Sequence, residues 1–392
     1  MKTEVYLIGA VRSPIGVFCG AFESVPAPAL GSAVAKASLK RAAVPLEQID
    51  EVIFGNVVSA GLGQNVARQV ALGAGLSPSV GATSVNKVCG SGLKAVMFAA
   101  QAVQCGDASL VLAGGTENMS RSPYLLEKAR SGYRMGNGEL VDAMIRDGLW
   151  DIYKNVHMGL CGDRCAEKYG FSRDQQDEFA IRSFKRAQEA TQQGIFAREI
   201  EPIQVKAGKE MVSVSEDENP KKFNEEKLRK LRPAFGENGT VTAGNASSIN
   251  DGAAAVVVAS AEKVKQLGLK PQARILGYAS YAREPEWFTL APIGAVEKLL
   301  SKLSLQVKQI DLFEINEAFS IVPMAAMREL QLPNEKVNVL GGAVALGHPI
   351  GASGARALAT LLNALKHRNG RIGIETLCIG GGEAVAMAVE LC

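Results

Sequence analysis

One plan is written twice in this chain, about 260 residues apart, and that repetition constrains the fold more than any other feature. In the first copy Cys89-Gly90-Ser91-Gly92 opens a helical pattern over Leu93–Gln104, and the apolar run Ser109–Ala113 is closed by Gly114-Gly115-Thr116-Glu117. In the second, Gly347-His348-Pro349-Ile350-Gly351-Ala352-Ser353-Gly354 precedes a helical pattern over Ala355–His367. The strand-like run Arg371–Leu377 then ends at Cys378, followed by Gly380-Gly381-Gly382-Glu383. The offset is far beyond the period of a solenoid, so the expectation is a duplicated α/β unit whose matching turns face one another.

The flanking segments fit that plan. Strand-like runs at Val5–Ile8, Val52–Asn56 and Ser84–Val88 alternate with helical patterns at Leu30–Ala43 and Asn65–Gly75. Later, Gln272–Ala279 and Leu312–Ile315 alternate with Pro292–Leu303 and Ala318–Glu329. Alternation of this kind predicts a sheet with helices on its faces. From Ser120 to about Ser248 the chain is charged and turn-rich, with a polar helix over residues 173–194, and Ala253–Ala259 then returns to the core as a strand. That middle stretch reads as an insertion into the first unit.

Composition excludes several classes. Apolar residues make up 47%, which suits a large core. A net charge of +3 spread along the chain gives no reason to expect a nucleic acid or membrane partner. The opening residues 1–9 are too short for a signal peptide, no run approaches the ~20 apolar residues of a membrane helix, and Glu390-Leu391-Cys392 matches no targeting tail. The expected compartment is the cytoplasm. Seven irregularly spaced cysteines argue against a disulfide scaffold. Cys161 and Cys165 are one helical turn apart, but with three histidines in the chain and no second cysteine pair nearby, no metal site is expected.

Four residues could carry chemistry. Cys89, at a strand-to-helix turn, feels the positive end of a helix dipole that favours thiolate; a small buried residue at a helix start is the plain alternative. His348, held out of helical conformation by Pro349, can serve a thiol as base or can simply bond the turn. Cys378 is placed in the second half as Cys89 is in the first, and a second thiol in one pocket can move a proton to and from carbon; core packing would explain it equally. Asn316 can fix a water or an enolate oxygen, or cap a helix.

Taken in order, Val-Cys-Gly-Ser-Gly, Asn-Glu-Ala-Phe, Gly-His-Pro-Ile-Gly-Ala-Ser-Gly and Cys-Ile-Gly-Gly-Gly form a set that resembles the thiolase family over essentially the whole chain, the opening Ala10-Val11-Arg12-Ser13-Pro14-Ile15-Gly16 included. The resemblance implies the thiolase fold: two βαβαβαββ-type halves in a five-layer α-β-α-β-α arrangement with an inserted loop domain. It places the N-terminal half at 1–119 with 249–271, the loop domain at 120–248 and the C-terminal half at 272–392. It implies Cys89 as the acylated nucleophile, His348 as its activator and Cys378 as the acid/base at carbon. One oxyanion hole would be formed by His348 and a water on Asn316, the other by the backbone N–H groups of Cys89 and Gly380. The reaction would be the reversible condensation of two acetyl-CoA to acetoacetyl-CoA and CoA, with no cofactor beyond these thioesters.

The same resemblance puts Ala243, Ser247 and Ala318 along the pantetheine channel, with Leu149, Met158 and Phe319 at the thioester end. His157-Met158-Gly159 is similar to the motif of short-chain, biosynthetic-type thiolases, with His157 beside the acyl group. Lys221 stands, with Lys222, in a basic stretch that could meet the CoA phosphates. Two departures bear on specificity: Leu160-Cys161-Gly162-Asp163 where the family often shows Thr-Ala-Glu after this motif, and Trp287-Phe288 where related enzymes carry a methionine by the acyl pocket. The segment Arg121–Arg146 resembles the family's tetramerisation region, so a homotetramer is expected, with a dimer as alternative. The rival readings are a degradative 3-ketoacyl-CoA thiolase acting on longer chains and, more remotely, a non-catalytic CoA binder on the same fold. The presence of Cys89, His348 and Cys378 argues against the latter.

Overall fold

Runs of Val, Leu, Ile and Ala without polar alternation make strands buried on both faces. In the computed structural model, which describes residues 3–392, this accounts for the two longest strands of the first half, every residue of which is buried. Met1 and Lys2, at the head of the expected N-terminal half, lie outside the described residues. The first half runs β1 (Val5–Arg12), α1 (Ala27–Ala42), β2 (Glu51–Gly55), α2 (Val66–Gly73), β3 (Gly81–Val85), α3 (Ser91–Cys105) and β4 (Leu110–Asn118). An insertion carrying α4 (Met158–Tyr169) and α5 (Arg173–Gln192) follows. Then β5 (Asn250–Ser260) enters the first sheet between β1 and β4.

The second half repeats the order: β6 (Ala273–Ala282), α6 (Ala291–Leu303), β7 (Leu312–Ile315), α7 (Ile321–Glu329), α8 (Ser353–Arg368), β8 (Ile372–Ile379) and β9 (Glu383–Leu391). The strand orders correspond, β3-β2-β4-β5-β1 against β7-β8-β9-β6, with the counterpart of β3 reduced to one parallel bridge, Phe313 to Val337. The halves join edge to edge where β1 pairs with β6 at Tyr6/Arg274 and Leu7/Ala273.

Helix α8 is buried all round from Ser353 to Leu365, as a helix between two sheets must be. It packs on α3 in the middle of the molecule, and glycine permits the approach: a Cβ on Gly354 would lie 2.3 Å from the Leu93 amide nitrogen. Helices α1 and α2 cover the outer face of the first sheet, α6 covers that of the second, and α7 shares a core cluster with the second sheet's Phe313, Ile315 and Ile374. These are the five layers of the thiolase fold.

Three local expectations change. The strand expected to close at Gly114-Gly115 runs on to Asn118. The glycines serve close approach instead, since a Cβ on Gly115 would sit 2.1 Å from the Gly351 carbonyl oxygen. Strand β3 stops at Val85, because the next residues form a tight turn with Val88 at φ +46°. Helix α7 starts at Ile321 and not at Ala318: the preceding residues are tied to the insertion, Ser247 N donating to Ala318 O and Ser320 N to Asn245 O.

Candidate active site

The turn before α3 fixes Cys89. Lys87 N donates to Ser91 Oγ at 2.8 Å and Ser91 Oγ donates to Val88 O at 2.6 Å, closing the loop around a β-branched residue in the left-handed region. This turn abuts the end of β8: a Cβ on Gly90 would lie 2.4 Å from Ile379 Cδ1, next to Cys378. It also lies against its matching turn in the second half: a Cβ on Gly92 would lie 3.1 Å from the Gly351 carbonyl oxygen.

The thiol of Cys89 is buried, and burial pushes its pKa up to about 11 although the backbone N–H groups of Gly380 and of Cys89 itself reach the sulfur and pull the other way. Burial is the largest influence on this group, and it favours the thiol. Cys378 is fully buried in an apolar cluster with Met158, Phe288 and Phe319. Burial, with the Cys89 sulfur as a secondary cause, holds its pKa well above the usual thiol range.

His348 opens the turn before α8. Its backbone N–H donates to Asn250 Oδ1 at 2.9 Å. Ser353 Oγ donates its one proton to Pro349 O at 2.8 Å, so at 2.6 Å it accepts from His348 Nδ1–H. The tautomer follows: Nε2 is unprotonated, and the Asn316 amide nitrogen lies 3.5 Å from it. Burial, helped by the Arg356 charge, lowers the His348 pKa to about 3, so the ring is neutral. Asn316 Oδ1 is buried with no protein partner.

Glu117 holds the loop behind His348. Its buried carboxyl accepts from Asn56 Nδ2 (2.9 Å), Val57 N (3.0 Å), Val58 N (3.2 Å) and Gly351 N (2.9 Å). Burial pushes its pKa up to about 7, while the backbone donors lower it. Every contact is a donor, the pattern suited to the ionised form.

Cys89 and His348 open into one cavity of about 580 Å³. Of the residues expected along the thioester, Leu149, His157, Met158, Ala243, Ser247, Phe288, Ala318 and Phe319 line it. Cys378, Asn316 and Gly380 stand behind that lining. Lys221 is turned away, exposed and paired with Glu216 at 2.8 Å, because the short turn Pro220–Lys222 presents Lys222 to the cavity instead. Phe235, whose only sequence signal was an aromatic beside glycine in a polar stretch, stacks on His157 with ring centroids 4.5 Å apart. His157 Nδ1 accepts from Gly159 N at 3.1 Å, which caps α4 and leaves Nε2 as the protonated nitrogen. Ser353 was read only as part of a glycine-rich turn. Cys161 and Cys165 are buried in the core, and among the described residues no three His, Cys, Asp or Glu side chains gather as a metal site. No helix among the described residues is long and apolar enough to cross a membrane.

Comparison with known proteins agrees over the full length. The family described as "Thiolase, N-terminal domain" matches residues 5–262 and "Thiolase, C-terminal domain" matches 269–391. Acetyl-CoA acetyltransferase 2 of Arabidopsis thaliana is 53% identical over 391 residues, covering 99% of this chain and 97% of that protein. A Gibberella zeae relative named as a cytosolic acetyl-CoA acetyltransferase is 48% identical, with 98% of each chain covered. Among solved structures, the Acat5 thiolase of Ascaris suum in complex with coenzyme A superposes with a TM-score of 0.95 at 44% identity, covering 99% of this chain and 100% of that one. The Bacillus anthracis acetyl-CoA acetyltransferase superposes with a TM-score of 0.98 at 41% identity, covering 100% and 99%.

Proposed function

This chain belongs to the thiolase family, and from that premise we propose that it is an acetyl-CoA C-acetyltransferase in which Cys89, His348 and Cys378 carry the chemistry. The observation that carries the assignment of residues is the abutment of the Cys89 turn on the end of the Cys378 strand, with His348 opening into the same cavity.

Acylation starts from neutral groups. His348 Nε2 takes the thiol proton as the Cys89 sulfur attacks the thioester carbonyl. The oxyanion lies at the backbone N–H groups of Cys89 and Gly380, which already reach the sulfur. The carbon–sulfur bond of the substrate breaks, and the departing CoA sulfur takes its proton from Cys378. Acetyl-Cys89, an imidazolium and a thiolate at position 378 remain. The burial that raises the Cys378 pKa makes that thiolate strongly basic, as removal of a thioester α-proton demands. A second acetyl-CoA gives its α-proton to Cys378. Its enolate oxygen is held by His348 and by a water on Asn316, whose Oδ1 has a free acceptor site. The enolate carbon attacks the acetyl group, and Cys89 departs and recovers its proton from His348. Two acetyl-CoA give one acetoacetyl-CoA and one CoA, and every protein group returns to its starting state. Thiolysis is the reverse.

A short acyl group is favoured over the longer-chain reading because Phe288, 1% exposed and against Phe319 at a ring-centroid distance of 6.2 Å, puts a bulky ring in the cavity wall where related enzymes carry a methionine. The assembly is read as a homotetramer: Met135 is 97% and Leu140 66% exposed in the Arg121–Arg146 segment, apolar area that another copy would cover. The cytoplasm is the proposed compartment, in parallel with the Gibberella zeae relative.

Thiolysis of acetoacetyl-CoA by CoA, run beside Cys89→Ala, tests the function. The wild type should turn over and the variant should lose at least ~10³-fold. A wild type inactive on every ketoacyl-CoA would reject the enzyme class, and activity surviving in the variant would reject the nucleophile. Sedimentation of the purified protein checks the tetramer.

A further inference from the structure

The Leu160-Cys161-Gly162-Asp163 departure lies where α4 meets the loop forming one wall of the cavity. Asp163 Oδ1 accepts from Thr240 N at 2.8 Å and Val241 N at 2.9 Å. The loop closes on itself, with Ala234 N donating to Val241 O at 3.0 Å and Gly239 N to Gly236 O at 3.0 Å. Its inner side contributes Ala234 and Phe235 to the cavity, and its continuation contributes Ala243, Ala246 and Ser247.

The helix face beneath the loop is cut away to receive it. A Cβ on Gly159 would lie 2.2 Å from the Phe235 ring, and one on Gly162 would lie 3.3 Å from Val241 Cγ2. From the loop side, a Cβ on Gly239 would lie 2.4 Å from Asp163 Oδ2. A short carboxylate and three glycines thus set one spacing between helix and loop. The same helix presents His157 and Met158 to the cavity at its other end. Movement of the loop would carry Phe235 off His157 and shift the wall that a thioester arm must pass.

We infer that Asp163 is a positioning residue for substrate binding, clamping the 234–241 loop so that the thioester channel is formed before substrate arrives. The inference rests on reading this cavity as the site of CoA thioesters. Asp163→Ala removes both acceptor bonds. It raises the KM for acetoacetyl-CoA at least tenfold, keeps kcat within about threefold, and leaves the rate of Cys89 alkylation by iodoacetamide unchanged, because that small reagent does not use the wall. Asp163→Asn keeps the Oδ1 acceptor and restores KM to within about threefold of wild type. Gly239→Ala, in a surface loop, pushes the loop off the carboxylate and reproduces the raised KM without touching the helix.

A wild-type enzyme inactive on acetoacetyl-CoA would overturn the reading of the cavity. An active wild type with unchanged KM in both Asp163→Ala and Gly239→Ala would overturn the clamp alone. A common fall in kcat, KM performance and alkylation rate, uncorrected by Asp163→Asn, would make Asp163 a folding residue and also overturn it.

Discussion

Asn56 and Glu117 in the first half stand where Asn316 and Cys378 stand in the second. In the first sheet Gly55 pairs with Gly115; Asn56 follows the one and Glu117 lies two residues past the other. In the second, Ile315 pairs with Thr376; Asn316 follows and Cys378 lies two past. In the first pair the carboxylate is saturated, accepting from the Asn56 amide and from three backbone N–H groups, while Asn56 Oδ1 has no partner. In the second, Asn316 Oδ1 likewise has no protein partner, but the place of the carboxylate is taken by Cys378, a buried thiol among apolar side chains. The contrast between the halves therefore lies at Glu117 and Cys378. Glu117 ties down the loop that carries His348, while Cys378 is left among apolar side chains, as the role proposed for it requires.

If this division is right, variants at paired positions should fail differently. The largest contrast is at the second members. Cys378→Ala should cut condensation by ~10²–10⁴-fold in steady-state assays while thermal unfolding changes little. Glu117→Gln keeps shape and turns one acceptor into a donor facing N–H groups. It should cost about 3 kcal/mol in denaturant unfolding, with activity falling only as far as the His348 loop loosens. Equal loss of stability in both variants would break the comparison.

The first members sharpen it. Asn316→Ala should lower kcat by roughly 10²-fold with stability nearly unchanged. Asn56→Ala should cost ~1–2 kcal/mol of stability with kcat nearly unchanged. A smaller effect separates two kinds of buried carboxyl. Glu375 has no partner for either oxygen and burial holds its pKa well above the usual range, while burial pushes Glu314, beside Arg356, up to about 8. Both bind a proton in the folded chain that the unfolded chain releases near pH 4.5. Their contribution is therefore greatest below that value; that of Glu314 is lost as pH rises through about 8, and that of Glu375 is likewise lost with rising pH. Stability should fall with rising pH over that window, and Glu375→Gln, an amide in place of a protonated acid, should flatten the fall. A steeper fall in the variant would reject the protonated state.

Much of this was legible in the residues. The repeated plan of glycine-rich turn, helix and strand predicts the duplicated fold, because apolar runs and glycines act locally. The same patterns locate Cys89, His348, Asn316 and Cys378, since each borders such a turn. What local patterns cannot carry is the state of those groups. A helix start favours thiolate at Cys89, while burial by residues distant in sequence pushes the thiol pKa up. Gly114-Gly115 reads as a strand end until Gly351 is seen against it. Lys221 and Lys222 are indistinguishable as adjacent charges until a turn directs one inward. Ser353, bonded to His348, and Asp163, bonded to the backbone of Thr240 and Val241, meet partners that no spacing announces.

The convergence of two sulfurs and one imidazole is tested most directly by trapping the acyl group. Wild type, Cys89→Ala and Cys378→Ala are mixed with acetyl-CoA, quenched with acid and digested for peptide mass analysis. The mechanism requires an acetyl group on the Cys89 peptide in wild type, none anywhere in Cys89→Ala, and one on Cys89 in Cys378→Ala that does not go on to acetoacetyl-CoA. Acetylation at another residue in wild type, or condensation by Cys378→Ala at the wild-type rate, would contradict it.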